Sequence, residues 1–430
     1  MPSGTDIMTH SPVTLRPDPS RTVLRPFDVG DPKGFEQAEP RAHRIADRVR
    51  DMDDGLLHRE LQRVLENLGE RHYDVENIVM RRYEDIKDRA GCVGVDQDRA
   101  RLIGAYFSEE YSFESAALFN PSIAMLDDQE GVPEGGIRFA LSLRGIGEGH
   151  LSSVTFRIGT WDPKYGFRID PPSPHAITPE IEHNVSKDDG SYTQIRFNGA
   201  KDPSECVLFP ITPSQSRGIE DLRMTHFIED DGRVRRLGTY TAYNGSEARS
   251  ELVEAVDFQV FDLHAMTGNA TAAKGMALFP RRINGRYAML GRQDSENLWY
   301  LESDELTHWQ GGEIIFRPEM FWEYVQVGNC GSPIEIDEGW LVITHGVGSV
   351  RNYCIGACLL DLDDPRKVIK RMQLPLVHPS PKERDGYVPN VVYGCGALVH
   401  DRTLLLPYGV ADNFTSFATV PVDDLLAAMK

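Results

Sequence analysis

Three charged residues stand together in the stretch GIEDLRMTHF, which runs from Gly218 to Phe227. Glu220, Asp221 and Arg223 lie among apolar residues, whereas charged side chains are normally spread over solvated surface. Such a group is either a buried structural ion pair or a carboxylate held for proton transfer. The residue types alone leave both interpretations open.

Further polar residues stand near the ends of predicted strands. They are Arg144 in LSLRG, Lys274 in AAKGMALFP, Arg292 in LGRQD, His345 in ITHGVG and Asp412 in YGVAD. Two cations and an imidazole donor can hold a phosphate dianion while a carboxylic acid protonates a leaving oxygen. Each residue also has a structural explanation, because Arg292 can pair with Asp294, Lys274 can be solvated and His345 can be a core histidine. Convergence of the strand ends would favour the catalytic interpretation.

A repeated turn would bring these strand ends together. Two small or polar residues precede a strand at Gly135-Gly136, Asp231-Gly232, Asn284-Gly285, Glu338-Gly339 and Asp401-Arg402. Units of about fifty residues are typical of propeller blades, whose equivalent strand ends meet at one axis. We therefore predict a mainly β fold, a five-bladed β-propeller over residues 101–430, with a β-sandwich as the alternative.

The residues before these strands show a different period. Between Phe35 and Ile86, apolar residues recur at three- and four-residue steps, which indicates amphipathic helices. The period changes to two after about Ala100, so we predict a mostly helical N-terminal extension over residues 1–100. These helices either cap the main domain or carry a homo-oligomer contact.

Composition excludes several classes of function. Lys plus Arg total 46 against 66 for Asp plus Glu, and the formal charge of -20 argues against nucleic acid as the main partner. No apolar run approaches the roughly 20 residues that span a bilayer, so no membrane association is expected. The first twenty residues lack the apolar segment of a secretory signal, and we predict a cytoplasmic location. The six cysteines fit neither a zinc site nor a disulfide framework, which predicts reduced, buried thiols and no metal.

Several motifs, in order, resemble glycoside hydrolase family 130, the family of β-mannoside phosphorylases and β-mannosidases. GIEDLR resembles the family's GxEDPR signature, and KGMALFPRRINGRYAMLGR and GSPIEIDEGWLVITHGV are similar to its next two motifs. GYVPNVVYGCGALV and YGVADN are similar to its C-terminal segments. The resemblance covers about residue 116 to the end and implies a five-bladed propeller, here in a longer subgroup with a helical N-terminal extension.

The resemblance also implies an activity and a site. It implies cleavage of β-mannosides by inorganic phosphate with inversion, giving α-mannose 1-phosphate, with no organic cofactor. Asp221 matches the general acid, thought to act through a hydroxyl of the mannose, and Glu220 and Arg223 are expected to hold it in position. Phosphate-binding residues are matched by Lys274, Arg292 and His345, and sugar-binding residues by Asn120, Arg144, Asp412 and Tyr243.

Two departures and three alternatives accompany this interpretation. Leu222 replaces the proline of the signature, and Gly291 stands where the family often has histidine. An inverting β-mannoside hydrolase would use Glu220, Glu247 or Glu251 to activate water. A β-mannosyltransferase would build mannosides from mannose 1-phosphate or GDP-mannose. A carbohydrate-binding scaffold without catalysis is the remaining alternative.

Overall fold

The structure is a computed structural model that describes residues 7–27, 29–187, 190–381 and 386–430. Contacts divide the chain into two compact units. Unit 1 comprises Met1–Asp18, Phe113–Pro172 and Pro179–Lys430, and unit 2 comprises Pro19–Ser112 and Ser173–Thr178. The sequence-based division at residue 100 stays a prediction, and the described residues before Asp18 include a strand that pairs near the end of the chain.

The chain has more strands than helices, which confirms the mainly β class. The helices are α1 Arg41–Arg50, α2 Asp54–Gly69, α3 Val75–Ile86, α4 Gln97–Tyr106 and α5 Val422–Ala428. The first nine strands are β1 Thr9–Leu15, β2 Thr22–Pro26, β3 Ser108–Ser112, β4 Ala117–Met125, β5 Ile137–Ile146, β6 Ser152–Asp162, β7 Gly166–Ile169, β8 Glu180–Lys187 and β9 Gly190–Arg196. The next nine are β10 Val207–Leu208, β11 Gly218–Ile228, β12 Val234–Tyr243, β13 Ala248–Ala255, β14 Val260–His264, β15 Ala277–Leu278, β16 Tyr287–Gly291, β17 Leu298–Ser303 and β18 Glu313–Phe316. The last nine are β19 Gln326–Asn329, β20 Ile334–Ile336, β21 Gly339–Val347, β22 Tyr353–Leu360, β23 Val368–Arg371, β24 Val392–Tyr393, β25 Leu398–His400, β26 Thr403–Val410 and β27 Phe414–Pro421.

Unit 2 contains the helices that the N-terminal periodicity predicts. Helices α1 to α3 lie within residues 41–86, and their apolar faces share one core with α4. Asp53 begins α2 by accepting a hydrogen bond from the Leu56 amide at 3.0 Å, which satisfies a free N–H of the first turn. Helix α4 continues to Tyr106, six residues beyond the predicted change of period near Ala100. The predicted homo-oligomer contact of these helices stays a prediction.

Helix α4 depends on a glycine for its packing. A Cβ on Gly104 would lie 1.8 Å from the Val79 carbonyl oxygen of α3, so only glycine allows the two helices to approach this closely. The antiparallel strands β2 and β3 complete the unit. Glycine lowers helix propensity, which is one reason why the sequence pattern around α4 is weak.

Unit 1 is built from strands that pair antiparallel, apart from β11, which meets β6 in parallel at Gly218 and Ser152. One sheet contains β4 to β14, and the others contain β15 to β18, β19 to β23, and β24 to β27 with β1. All five predicted turns are confirmed, since they precede β5, β12, β16, β21 and β26. Strand β1, which the sequence analysis did not predict, pairs antiparallel with β27 near the end of the chain.

Two further findings concern the chain as a whole. All six cysteines are free and buried, which confirms the prediction of reduced thiols. Within the described ranges, no helix combines the length and apolar character needed to cross a membrane.

Candidate active site

The carboxylates of the GIEDLR stretch lie at an irregularity of β11. Successive side chains of a regular strand point to opposite faces, but the pairing of β11 with β12 shifts between Glu220 and Arg223. Asp221 has a φ of 55°, a left-handed conformation that aspartate tolerates better than most residues. The irregularity therefore lets Glu220 and Asp221 face the same cation, Arg144.

Two polar residues bind the Asp221 carboxylate directly. Asn120 Nδ2 donates to Asp221 Oδ1 at 2.9 Å, and Arg144 Nη1 donates to the same oxygen at 3.4 Å. Burial alone raises the pKa of Asp221, but the charges of Arg144 and Arg223, the bond from Asn120 and the charge of Lys274 together lower it. Asp221 is therefore an ionised carboxylate in the unliganded protein.

Glu220 connects two cations. Its Oε1 accepts from Arg144 Nη2 at 2.8 Å, and its Oε2 accepts from Lys274 Nζ at 2.6 Å. Lys274 also lies 5.6 Å from the ring centre of Tyr243. A groove of about 670 Å³ begins at Lys274 and Arg292 and is lined by polar side chains from the turns after β12 and β16. Glu220 thus separates Arg144 from the cations that border this groove.

Arg223 ties the carboxylate turn to other strands. Its side chain is buried, and it donates to the Asp221 carbonyl at 3.1 Å, to Asn329 Oδ1 at 3.3 Å and to the Tyr393 hydroxyl at 2.8 Å. Asn329 in turn donates from Nδ2 to the carbonyl of Gly275, the residue after Lys274, at 2.8 Å. Neither Asn329 nor Tyr393 was predicted from the sequence.

Arg292 and His345 form a second pair beside this network. His345 is buried, and its Nδ1 faces the Asn329 carbonyl oxygen at 3.1 Å. A carbonyl only accepts, so Nδ1 carries the proton and Nε2 accepts from Arg292 Nη1 at 3.2 Å. Burial, together with the charges of Arg292 and Arg223, holds the pKa of His345 well below its usual range. In this arrangement the neutral imidazole orients Arg292, whereas the sequence predicted that the ring would donate a hydrogen bond to phosphate.

The Arg223 network and the Arg292–His345 pair come together at Gly275. A Cβ on this glycine would lie 3.6 Å from Arg223 Nη2 and 3.6 Å from Arg292 Nε. Arg223 and Arg292 therefore both lie beside the glycine that follows Lys274, which concentrates positive charge there. The structure therefore shows more than an isolated pair at Arg292 or a solvated Lys274, because both residues belong to a hydrogen-bonded network that reaches Asp221.

Asp412 and Tyr243 are placed differently from the residues around Asp221. Asp412 lies two residues after the end of β26, and burial raises its pKa to about 6, while the charge of Arg144 opposes this effect. The Tyr243 hydroxyl donates to the Gly245 carbonyl at 2.9 Å, and its ring faces Lys274. Tyr243 is thus a neighbour of the cationic groove, whereas Asp412 is electrostatically linked to Arg144.

The two departures from the family pattern have local explanations. Leu222 is buried, and its Cδ1 would lie 2.7 Å from a Cβ on Gly238, so packing fixes the turn in place of a proline ring. Gln293 Oε1 lies 2.9 Å from the position that a Cβ on Gly291 would take. The side chain of Gln293 therefore fills the space beside Gly291. Within the residues that the structure describes, no group of three or more His, Cys, Asp and Glu could hold a metal ion.

Comparison with known proteins places this geometry in a family. The sequence profile of glycoside hydrolase family 130, described as beta-1,4-mannooligosaccharide phosphorylase, matches residues 175–430. A beta-1,2-mannobiose phosphorylase of Thermoanaerobacter sp. is 32% identical over 317 residues, which cover 73% of this chain and 92% of that protein. A 1,2-beta-oligomannan phosphorylase of the same organism is 40% identical over 154 residues, covering 35% of this chain and 52% of that protein. The alignment thus spans about half the length of that second relative.

A solved structure shows the same fold. It is beta-1,2-mannobiose phosphorylase from Listeria innocua in complex with beta-1,2-mannobiose, with a TM-score of 0.50 and 23% identity. The match covers 74% of this chain and 92% of that one. Together with the profile match over more than half of the sequence, these relatives show that the chain belongs to glycoside hydrolase family 130.

Proposed function

We propose that this protein is an inverting β-mannoside phosphorylase that releases α-mannose 1-phosphate and works reversibly. The observation that carries the proposal is the position of Lys274 and Arg292. Both cations border one open groove, and both belong to the hydrogen-bonded network that holds Asp221. A phosphate dianion needs such a pair of cations, whereas water needs a free carboxylate base.

In the proposed mechanism, Lys274 and Arg292 hold phosphate against the anomeric carbon, and His345 keeps Arg292 oriented. A phosphate oxygen forms a bond to that carbon while the glycosidic C–O bond breaks. Asp221 supplies the proton that the leaving oxygen takes up, relayed by a hydroxyl of the mannose. Asn120, Arg144 and Asp412 bind the sugar, and Tyr243 borders the phosphate side.

The same charges couple phosphate binding to the protonation of Asp221. In the unliganded protein, nearby cations hold the pKa of this carboxyl below its usual value despite its burial. A dianion beside Lys274 and Arg292 would oppose the effect of the Lys274 charge and raise the pKa of Asp221. Phosphate would thereby favour the protonated acid at the moment when it is needed.

Two of the three candidate bases of a hydrolase are already engaged by other side chains. Glu220 is engaged by Arg144 and Lys274, and Glu251 is buried and accepts from the Tyr240 hydroxyl at 2.7 Å. Glu247 is exposed in the groove that contains the cations. A free base opposite Asp221 is what a hydrolase would require.

The names of the relatives suggest which substrate to test first. Two proteins that match this chain act, by name, on β-1,2-linked mannosides. The family profile is described as that of a β-1,4-mannooligosaccharide phosphorylase. We propose β-1,2-mannobiose as the first substrate and β-1,4-mannobiose as the comparison.

We further propose that unit 1 is a five-bladed β-propeller. Five successive strand sets support this, namely β4 to β6, β11 to β14, β15 to β18, β19 to β23, and β24 to β27 with β1. Each set follows the same order of turn and strand. The pairing of β1 with β27 would join the two ends of the chain within the last blade, a common way to close such a ring.

Phosphate dependence tests the proposal. The purified protein is incubated with β-1,2-mannobiose with and without inorganic phosphate, and mannose and mannose 1-phosphate are measured separately. We expect cleavage only with phosphate and equal amounts of the two products. Cleavage at the same rate without phosphate would instead establish a hydrolase.

A further inference from the structure

Two aromatic rings from distant parts of unit 1 stand together in solvent. The ring centres of His150 and Tyr387 are 5.7 Å apart, and Tyr387 is 75% exposed. His150 is also exposed. Large side chains that stay exposed in a fixed position often mark a binding surface. The local structure on both sides shows that this pair is fixed beside the candidate active site.

His150 is held close to Arg144. It ends the short turn Glu148–His150, with a φ of 58°, and the Gly147 amide closes the turn by donating to the Leu151 carbonyl at 3.0 Å. Two residues further on, Ser152 Oγ accepts from Arg144 Nε at 3.0 Å. The backbone of His150 is therefore held two residues from Ser152, which binds Arg144.

Tyr387 is held close to Asp412. The residues on either side of it both contact Ala411, which directly precedes Asp412. The Val388 amide donates to the Ala411 carbonyl at 3.2 Å, and a Cβ on Gly386 would lie 2.2 Å from the same oxygen. This close approach requires glycine at position 386, and it fixes the backbone of Tyr387.

The two rings lie outside the cationic groove, because neither His150 nor Tyr387 is among the residues that line it. Glu220 binds Arg144 through one carboxylate oxygen and Lys274 through the other, so these two cations lie on different sides of it. The chain segments that carry the rings reach Ser152, the partner of Arg144, and Ala411, the neighbour of Asp412, whereas Lys274 and Arg292 line the groove. Inversion places the attacking phosphate and the leaving group on opposite sides of the anomeric carbon.

From this geometry, and resting on the proposed function, we propose that Tyr387 and His150 form the platform that binds the leaving-group sugar. A pyranose presents an apolar face of C–H groups, which packs on an aromatic ring, and a rim of hydroxyls, which needs polar partners. In the reverse reaction the same platform binds the acceptor sugar.

The reverse reaction separates this platform from the rest of the site. Synthesis from α-mannose 1-phosphate and mannose gives one KM for the donor and another for the acceptor. Tyr387→Ala should raise the KM for mannose on the order of tenfold and leave the KM for α-mannose 1-phosphate unchanged, since stacking on one ring is lost. Tyr387→Phe should stay close to wild type, and His150→Ala should show a smaller rise than Tyr387→Ala.

Tyr165 provides the matched control. It is 59% exposed in the turn between β6 and β7, at the far end of β6 from Ser152. Tyr165→Ala should change neither KM. Three results would each overturn the platform proposal: an unchanged acceptor KM in Tyr387→Ala, an equal rise in both KM values, or the same loss in Tyr387→Phe.

Failure of the platform and failure of the proposed function give different results. Wild-type protein without turnover in either direction rejects the phosphorylase. Active wild type with an unaffected Tyr387→Ala variant rejects the platform alone. Calorimetric binding of β-1,2-mannobiose needs no turnover, and it should be weaker for Tyr387→Ala than for Tyr165→Ala, whereas equal binding would overturn the platform.

Discussion

Replacing Asp221 with asparagine removes a proton donor while keeping the shape of the site. Asp221 Oδ1 accepts from Asn120 Nδ2 at 2.9 Å and from Arg144 Nη1 at 3.4 Å. An amide oxygen in the same position accepts both bonds. The backbone bond from Arg223 to the carbonyl of residue 221 does not depend on the side chain. We therefore expect Asp221→Asn to fold.

The expected loss of activity is large for natural substrates. General acid catalysis contributes about 10²- to 10⁴-fold, and Asp221→Asn should lower kcat by that factor, or about 3 to 5 kcal/mol. Binding of β-mannoside should change much less, because the amide keeps the hydrogen bonds of the turn.

A substrate with a better leaving group makes the assay specific. An aryl β-mannoside with an acidic phenol departs without protonation, so its phosphorolysis should be affected much less by Asp221→Asn than that of β-1,2-mannobiose. The ratio of the two losses is the measurement. Equal losses on both substrates would refute the assignment of Asp221 as the acid and indicate a structural function.

Stability gives an independent result for the same variant. The cations beside Asp221 lower its pKa relative to the unfolded chain, so the ionised form stabilises the fold. This contribution is complete above the unfolded pKa of about 4 and is lost as pH falls through the folded pKa. Asp221→Asn should lower the free energy of unfolding by about 1 to 3 kcal/mol at pH 7, and the difference from wild type should shrink near pH 3.

Three further variants test other parts of the network. Arg292→Gln should raise the KM for phosphate by about 10- to 100-fold, because a charge-assisted bond is lost, and the KM for mannoside much less. Asn329→Ala leaves Arg223 Nε and the Gly275 carbonyl without the bonds that Asn329 provides, and denaturant unfolding should show a loss of about 2 to 4 kcal/mol. The pKa of Asp412 is raised to about 6, against about 3.9 in the unfolded chain. Wild type should therefore lose stability relative to Asp412→Asn as pH rises from about 4 to about 6, and a constant difference would contradict this.

The sequence predicted the parts of the fold that repeat. Long strands with alternating residues follow two-residue turns, and the structure has β5, β12, β16, β21 and β26 at those places. The short first strands β15 and β24 escaped prediction, since strands as short as Ala277–Leu278 and Val392–Tyr393 cannot show a period. Strand β1 depends on pairing with β27 across almost the whole sequence, which no local pattern encodes.

The sequence predicted those residues of the candidate site whose side chains carry a charge. Asp221, Arg144 and Lys274 stand out as charges among apolar residues. In the structure Glu220 joins Arg144 to Lys274, and Arg144 donates to Asp221. Asn329 was missed because an uncharged amide in a short strand gives no pattern. Its importance comes from three hydrogen bonds that tertiary structure alone brings together.

The orientation of the His345 ring could not be predicted from the sequence either. Its residue type allows donation from either ring nitrogen. The carbonyl of Asn329 decides the tautomer and leaves Nε2 to accept from Arg292. A backbone oxygen from another strand has no signature in the sequence.

The fate of isotope-labelled phosphate tests most directly whether phosphate itself attacks the sugar. β-1,2-mannobiose is cleaved in fully ¹⁸O-labelled phosphate, and the products are analysed by mass spectrometry and by NMR of the anomeric centre. The mechanism predicts α-mannose 1-phosphate that keeps all the labelled oxygens, including the one bonded to carbon, and a leaving mannose without label. Free mannose as the sole sugar product, or a β-configured ester, would contradict inverting phosphorolysis.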